Sequence, residues 1–393
     1  MRMRYCAVLA ACLVAPALVN AQAPEPLAVS RPLDASADEP QSPCECASPD
    51  HRLYGDVEFI LWWLREGRVP PLLTTSSAVS SGRLDQPDTK VLYDNDRLAT
   101  RHGDRFNGIR ATVGYWLDSD DTVGVEASAF FLERDSTHFK ATSDGSTLLA
   151  RPFTNPDGSQ GSEIIGGPFA GGVRTGQFVG YSRIELFGEQ ANLVGLLAEC
   201  PNWHMDLLAG ARFLQMRDRL DLTATGWLLP AKTTLFGLTD HFRAHNAFYG
   251  GQVGLRGEYD WGRWFVKARA EVALGGDDQS VQAFGDGLFQ TPAVKIVQHH
   301  GLSVQPSNNG HFGQGDFDVV SEFGLDVGFQ ATDWLRLFVG YTLLMWNNPL
   351  RAGDQVDAVV NLNQPTGPPR ASIPFREDFF WAQGLNVGAE LRW

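Results

Sequence analysis

The last residues of the chain, 379–393, alternate between apolar and polar side chains with a period of two. One face is apolar with one polar break and has aromatic residues at both ends: Phe379, Trp381, Gln383, Leu385, Val387, Ala389, Leu391 and Trp393. The opposite face is small or charged and includes Glu390 and Arg392. Side chains of a strand point alternately to the two faces of a sheet. The segment therefore predicts a transmembrane β-strand, with lipid on one side and water or ion pairs on the other.

The same alternation recurs throughout residues 51–393, where short turns and long connections follow one another in strict order. The short turns fall at residues 118–121, 199–202, 260–263 and 331–333, and the long connections at residues 65–105, 135–181 and 347–376. Outer-membrane barrels sort their connections in this way, with short periplasmic turns and long extracellular loops. The sequence predicts an all-β protein, a transmembrane antiparallel β-barrel of about ten strands. Twelve is the alternative count, if the first two long loops conceal a hairpin.

The N-terminal part divides into two segments that precede the predicted barrel. Residues 1–21 have the form of a secretory signal peptide, with Arg2 and Arg4 before a short apolar run and a small-x-small cleavage site. Residues 9–12 also resemble a lipoprotein cleavage box, which we rank lower. Residues 22–50 are rich in Ala, Pro, Ser and acids and predict a disordered periplasmic linker. We expect export to the outer membrane, with residues 51–393 forming one barrel.

The composition excludes some functions and leaves others open. A net charge of −14 argues against nucleic-acid binding, which needs a basic surface. A mean hydropathy of −0.18 is compatible with a barrel, because alternating strands average near neutral. Asp240-His241 and His299-His300 could suggest a hydrolase dyad or a metal site, but solvated loop histidines are the preferred interpretation. Without a recognised catalytic or metal-binding motif, we predict no enzyme activity, no metal and no cofactor.

Charged side chains on the polar faces of the strands form the largest candidate site, a predicted lining of the barrel lumen. Its members are Glu58, Arg110, Glu126, Asp206, Arg212, Arg256, Glu258, Lys267, Arg269, Glu271, Glu322, Asp326, Arg336, Glu390 and Arg392. They could line a polar channel that selects solutes by charge, or form a structural core of ion pairs. Barrels of about eight strands are filled and those of 16–18 strands hold water. A barrel of about ten strands lies near the filled end.

The cysteines predict a link between the N-terminal linker and the barrel. The chain has five cysteines, and Cys44, Cys46 and Cys200 remain after removal of the signal peptide. All three fall on the predicted periplasmic side, an oxidising compartment. We predict a disulfide between Cys200 and either Cys44 or Cys46. The alternative, no intramolecular bridge, stays open because the linker can be mobile.

Several stretches resemble a known family. They are FILWWLREGRVPPL at 59–72, GYWLD at 114–118, GGQVGL at 250–255, GY at 340–341 and FWAQGLNVG at 380–388. Together they resemble the bacterial putative beta barrel porins, specifically the seventh family of that name, over nearly everything after residue 51. The resemblance implies a barrel and an outer-membrane location.

From the strand pattern and this resemblance we expect a porin for passive diffusion of small hydrophilic solutes. The alternative is a non-conducting structural or surface-binding barrel whose long loops contact a partner. The expected partners are outer-membrane lipid, the barrel-assembly machinery and, for a pore, small solutes; no nucleic acid is expected.

Overall fold

The computed structural model describes residues 52–94 and 105–393, so the predicted signal peptide and linker lie outside the described residues. Within the described ranges the regular elements are sixteen β-strands and one 3-10 turn, at Gly353–Gln355. The strands are β1 (Leu53–Leu64), β2 (Leu73–Thr75), β3 (Lys90–Tyr93), β4 (Phe106–Trp116), β5 (Val123–Leu132), β6 (Asp135–Ser143), β7 (Leu149–Thr154), β8 (Gln160–Phe169), β9 (Gly172–Cys200), β10 (Trp203–Leu229), β11 (Leu235–Trp261), β12 (Trp264–Gln290), β13 (Lys295–Gln298), β14 (Gly310–Gln330), β15 (Leu335–Trp346) and β16 (Phe380–Arg392). No helix in this part of the chain is long and apolar enough to cross a membrane.

Ten of these strands close into a ring. Their order is β1-β4-β5-β9-β10-β11-β12-β14-β15-β16, and β16 pairs with β1 to complete the circle. Every pairing in the ring is antiparallel, which confirms the predicted barrel. The sheet as a whole has sixteen strands, more than the predicted ten or twelve. Strands β8, β7, β2 and β3 extend the sheet from β9, β6 pairs with β9 beyond β5, and β13 pairs with β12.

The ring is much taller on one side than on the other. Strands β9 to β12 are 27–29 residues long, whereas β1, β4, β5, β15 and β16 have 10–13 residues. Crossing a bilayer takes about 9–11 residues of tilted strand. The tall strands therefore continue well past the membrane at the end opposite the short turns, which we call the loop end. The end with the short turns is the turn end.

Two segments predicted to be long loops contain strands, which are short in the first and make up most of the second. Residues 65–105 contain β2 and β3, and residues 135–181 contain β6, β7, β8 and the first part of β9. These strands lack the outward apolar face on which the prediction depended, because they lie beyond the bilayer. The prediction of loops is wrong there for this reason, and the alternative of a hidden hairpin is the correct one, since β2 pairs with β3 and β7 with β8.

The polarity of the two faces reverses along β10. Near the turn end, Leu207 points outward and is 46% exposed, while Asp206 points inward and is 1% exposed. Beyond the membrane the inward side chains become apolar, as in Leu220 and Leu222, and the outward ones become polar, as in Arg219. The outward surface needs to be apolar only where it meets lipid. The reversal therefore marks the level at which the barrel leaves the bilayer.

Loop segments fill the tall part of the ring from inside and form what we call the plug. It consists of residues 67–94, 147–165, 301–308 and 349–378, and its apolar side chains pack against the inner face of the tall strands. Examples are Leu73 and Leu350 of the plug and Phe242 of β11, all 0% exposed. The loop end of the barrel is thus closed by a second hydrophobic core.

Candidate functional site

The centre of the barrel is organised around one carboxylate. Glu322 of β14 accepts contacts from Arg110 of β4 at 2.7 Å, from Arg269 of β12 at 3.2 Å, and from Arg212 of β10. Glu271 lies opposite Glu322 in the β12–β14 register and is 3.8 Å from Arg269. Glu322 is 1% exposed, and Arg110 and Arg212 are 2% and 4% exposed. We call these five residues the charged layer.

A second group of charges lies closer to the turn end. Arg256 contacts Glu126 at 2.5 Å and Asp206 at 3.0 Å, and the hydroxyl of Tyr54 donates to Glu126 at 2.9 Å. Gly114 leaves room for the ring of Tyr54, since a Cβ there would overlap it. One arginine of β11 is thus shared by a carboxylate of the neighbouring β10 and one of β5, which faces it across the lumen.

A third group surrounds the mouth at the turn end. Arg336 contacts Glu258 at 2.6 Å, Lys267 contacts Glu390 at 2.8 Å, and Arg392 contacts Glu390 at 2.6 Å. Ion pairs neutralise part of the charge at this mouth, but acidic side chains outnumber basic ones in its lining.

The remaining predicted residues, Glu58 and Asp326, also lie on the inner face, where they are buried and half-buried. The structure thus places the whole predicted set inside the ring and joins most of it by ion pairs. Its role in conduction stays a prediction.

Above the charged layer, toward the loop end, an apolar layer crosses the whole lumen. Every strand of the ring contributes to it, and its side chains are 0–5% exposed. Its members are Ile60, Trp62, Leu64, Phe106, Phe130, Leu132, Ile184, Leu186, Leu214, Met216, Phe248, Ala273, Val320, Leu344, Trp346, Phe380 and Ala382. Trp62 is held by a hydrogen bond from its Nε1 to Asn386 Oδ1 at 2.9 Å. We call this layer the apolar disc; nothing in the sequence pattern predicted it, because its residues sit among polar inward positions.

The turn end opens into a cavity of about 560 Å³, the vestibule, lined by charged residues such as Arg256, Lys267 and Glu390. Glu322 and the apolar disc have near-zero exposure. A molecule of the size of water in the vestibule therefore does not reach them. Among the described residues, no group of three or more His, Cys, Asp or Glu side chains could hold a metal ion. The vestibule can admit water and small ions, but the wall above it is closed.

Two buried ion pairs that sequence reasoning missed attach the plug to the tall strands. Asp240 of β11 contacts Arg151 of β7 at 2.5 Å, with side-chain exposures of 0% and 1%. Asp218 of β10 contacts Arg351 of the plug at 2.7 Å. Asp240 also accepts hydrogen bonds from the backbone of Val304 at 2.8 Å and from two neighbouring residues. The sequence feature that could have indicated these pairs is an acidic residue among apolar inward positions, in a strand that extends beyond the membrane.

The Asp240-His241 pair noted in the sequence is divided between the two faces of β11. Asp240 faces the plug, whereas His241 faces outward and contacts Asp221 at 2.5 Å. His299 lies 3.5 Å from Asp286, and both are exposed.

We expect peptide mapping under non-reducing conditions to recover Cys200 joined to a peptide that contains Cys44 or Cys46. Cys200 takes part in a disulfide, while Cys44 and Cys46 lie outside the described residues, so the pairing stays a prediction. Cys44→Ser and Cys46→Ser, made singly, identify the partner, because only one of them should release Cys200. Recovery of all three cysteines as free thiols would contradict the pairing.

Comparisons with known proteins extend these observations. No curated protein matches the chain in sequence. Among solved structures, the outer membrane protease OmpT from Escherichia coli is 10% identical with a TM-score of 0.39, covering 88% of this chain and 98% of that one. An outer membrane protein of Vibrio cholerae, also called OmpT, is 10% identical with a TM-score of 0.19 (87% and 96% coverage). A Pseudomonas aeruginosa FadL homologue is 10% identical with a TM-score of 0.20 (87% and 90% coverage).

The prediction that the chain is not an enzyme is corrected by these comparisons. A protease stands among the similar structures, so the lack of a recognised sequence motif does not exclude hydrolysis. A likeness at 10% identity and a TM-score of 0.39 carries no argument for a particular activity. Enzyme activity is therefore no longer excluded for this chain, and no reaction is assigned to it.

The family comparison is more extensive. The model of the family described as "Putative beta barrel porin-7 (BBP7)" matches residues 54–393, which span the closed ring, the plug and the charged layer. The resemblance noted in the sequence is therefore confirmed, and with it the outer-membrane barrel. The chain belongs to the putative beta barrel porin-7 family.

Proposed function

We propose that the protein is a closed, non-conducting outer-membrane barrel that presents its folded loop end to a partner outside the membrane. The observation that carries this proposal is the apolar disc, which every strand of the ring builds and which is 0–5% exposed. Side chains that line a water-filled passage remain exposed to it. A complete layer of buried apolar side chains therefore supports a closed lumen.

The position of the disc bears on gating as well. Since the disc belongs to the ring wall and not to the plug, movement of the plug alone would leave it in place. The charged layer beneath it adds a second barrier, because its carboxylates and guanidiniums are paired with one another and most of them are buried. Both layers support a structural role for the interior charges.

The loop end has features suited to contact with a partner. At the tip of the β12–β13 hairpin, Phe289, Ile296 and Val297 are 44–52% exposed although they lie far from the bilayer. Exposed apolar groups that cluster on a surface often mark interaction sites. The porin function that the family name suggests is the second candidate, and conduction separates the two.

We expect the full chain, folded into planar bilayers, to show no unitary conductance steps at any voltage that the bilayer tolerates. Folding is checked independently by heat-modifiable migration in gels. The variant Asp240→Ala, which should loosen only the plug, is expected to remain equally silent because the disc persists. Reproducible steps in the wild-type protein would overturn the proposal in favour of the porin. Conductance steps in Asp240→Ala but not in the wild type would show that the plug, and not the apolar disc, closes the lumen.

A further inference from the structure

The outer wall of the barrel carries a row of arginines just beyond the level where its outward face turns from apolar to polar. Arg183 of β9, Arg219 of β10 and Arg243 of β11 lie directly opposite one another, since Arg219 is in register with both of the others. Like charges in directly opposite positions of a sheet repel and destabilise it. A row of this kind is stable only when anions lie close to it.

The protein supplies part of the neutralising charge. Glu185 contacts Arg183 at 2.8 Å and Arg134 at 3.1 Å. Asp221 contacts Arg219 at 2.6 Å. These two carboxylates are shared among three arginines, so the wall around them remains basic.

Arg243 of the row and Arg217 beside it are exposed, and no carboxylate in residues 52–94 or 105–393 lies within 4.0 Å of either. The guanidinium of Arg243 lies 4.8 Å from the ring centre of Phe284. Asp278 is another acid on this face. Burial and the charge of Arg217 lower the pKa of His245, and the charge of Asp278 opposes that shift. The excess of positive charge is local, because the whole chain has a net charge of −14.

The three arginines of the row line a cavity of about 500 Å³ on the outer wall, together with Arg217, His245 and Gln282 and with the acids Glu185 and Asp218. Two polar atoms in it, Arg183 Nε and His245 Nε2, are buried and have no hydrogen-bond partner among the described residues. Buried polar groups ordinarily have a partner, and Arg183 Nε carries a hydrogen that it can donate to an anion. The cavity therefore has the charge, the space and the unsatisfied groups of an anion site.

The level of the cavity relative to the bilayer indicates which anion reaches it. Phe187 of β9 is the last apolar side chain on the outward face before the row, and its ring centre lies 6.2 Å from that of Phe213. Arg183 of the row is four residues from Phe187 on the same strand, which is about 13 Å along a strand and roughly 10 Å along the membrane normal at the usual tilt. The headgroup layer of each leaflet is about 5–8 Å thick, and an arginine side chain reaches several ångströms further. The row therefore lies beside the headgroups.

We propose that this arginine row binds phosphate groups on the headgroups of outer-leaflet lipids. The guanidinium group matches phosphate in bidentate geometry and remains charged at every physiological pH. The short turns of outer-membrane barrels face the periplasm, so the row, which is on the loop-end side, faces the outer leaflet. Bound phosphates supply the anion that Arg243 lacks and add to the carboxylates that already contact Arg183 and Arg219.

Native mass spectrometry of the detergent-solubilised full chain tests this site with diphosphoryl and monophosphoryl lipid A as probes. We expect saturable binding of one or two diphosphoryl molecules, and weaker binding of the monophosphoryl form. The double variant Arg217→Gln/Arg243→Gln should bind the diphosphoryl probe at least about tenfold more weakly, since it removes two charge-assisted contacts. Both positions are exposed, so the variant should fold, and heat-modifiable migration verifies this.

The matched control is Lys140→Gln/Lys295→Gln, which removes the same charge from exposed positions outside the cavity. It should bind the probes as the wild type does. Equal loss of binding in the control and the test variant would reduce the effect to net charge and overturn the site. Displacement of lipid A by inorganic phosphate at equal concentration would show a free-phosphate site and overturn the lipid assignment.

Discussion

Replacing Glu322 with glutamine is expected to lower the free energy of unfolding of the barrel by about 3–5 kcal/mol, the usual cost of removing one partner from a buried ion pair. Glu322 is 1% exposed and is shared by Arg110, Arg212 and Arg269. Its neutralisation leaves the three guanidiniums with Glu271 as the nearest acid of the charged layer. If the lumen were wet at this level, water and ions would screen the change, and stability would hardly move.

Urea unfolding of the protein in vesicles, followed by tryptophan fluorescence, measures the effect of Glu322→Gln. Asp326→Asn is the matched control, because Asp326 lies on the same strand and the same inner face but is only half-buried. Among the described residues, no cation lies within 4.0 Å of it, so its loss should cost little. Equal unfolding midpoints for the wild type and Glu322→Gln would contradict a packed charged layer.

The second large effect is expected from Asp240→Ala, which should release the plug while leaving the membrane part of the barrel intact. The change leaves Arg151 buried without its carboxylate and removes the acceptor for the backbone N–H of Ser303 and Val304. A buried cation without a partner and orphaned backbone donors together cost several kcal/mol. The cost falls on the plug, since the ion pair and the hydrogen bonds of Asp240 are made with Arg151 and with the backbone of residues 302–304.

Hydrogen exchange resolves this local release from global unfolding. We expect faster exchange in residues 147–165 and 301–308 of Asp240→Ala, with unchanged exchange in β1 and β16. Asp286→Ala is the control, because its ion pair with His299 is exposed and surface pairs contribute little. Uniform acceleration across the ring would show that the plug and barrel unfold as one unit.

Sequence reasoning identified the membrane-spanning half of the fold and missed most of the rest, for a physical reason. An outward apolar face is required only in contact with lipid, so β14, β15 and β16 show it clearly. In β6 the outward residues meet water and the alternation disappears, as His138 and Lys140 illustrate. The apolar inward positions Leu220, Leu222 and Ala224 of β10 were visible, but their meaning depends on knowing that the strand has left the bilayer.

The charged lumen shows the same limit. Alternation alone placed Arg110, Arg212 and Glu322 on inner faces, and the structure agrees. Their mutual contact joins positions separated by 110 residues or more, and which strands face one another across a lumen depends on the stagger of the ring. Individual partners such as these therefore could not be predicted from one sequence, and neither could the apolar disc.

The reversal of polarity along β10 fixes how deeply the barrel is immersed. Sliding the protein inward would carry Arg217 and Arg219 into hydrocarbon, at a cost of roughly 2–4 kcal/mol for an arginine at the midplane. Sliding it outward would bring Leu207 into contact with water. Each ångström of mismatch between band and bilayer costs a fraction of a kcal/mol. The tall strands therefore hold the loop end at a constant height above the lipid. A bilayer of different thickness would have to adapt to the protein.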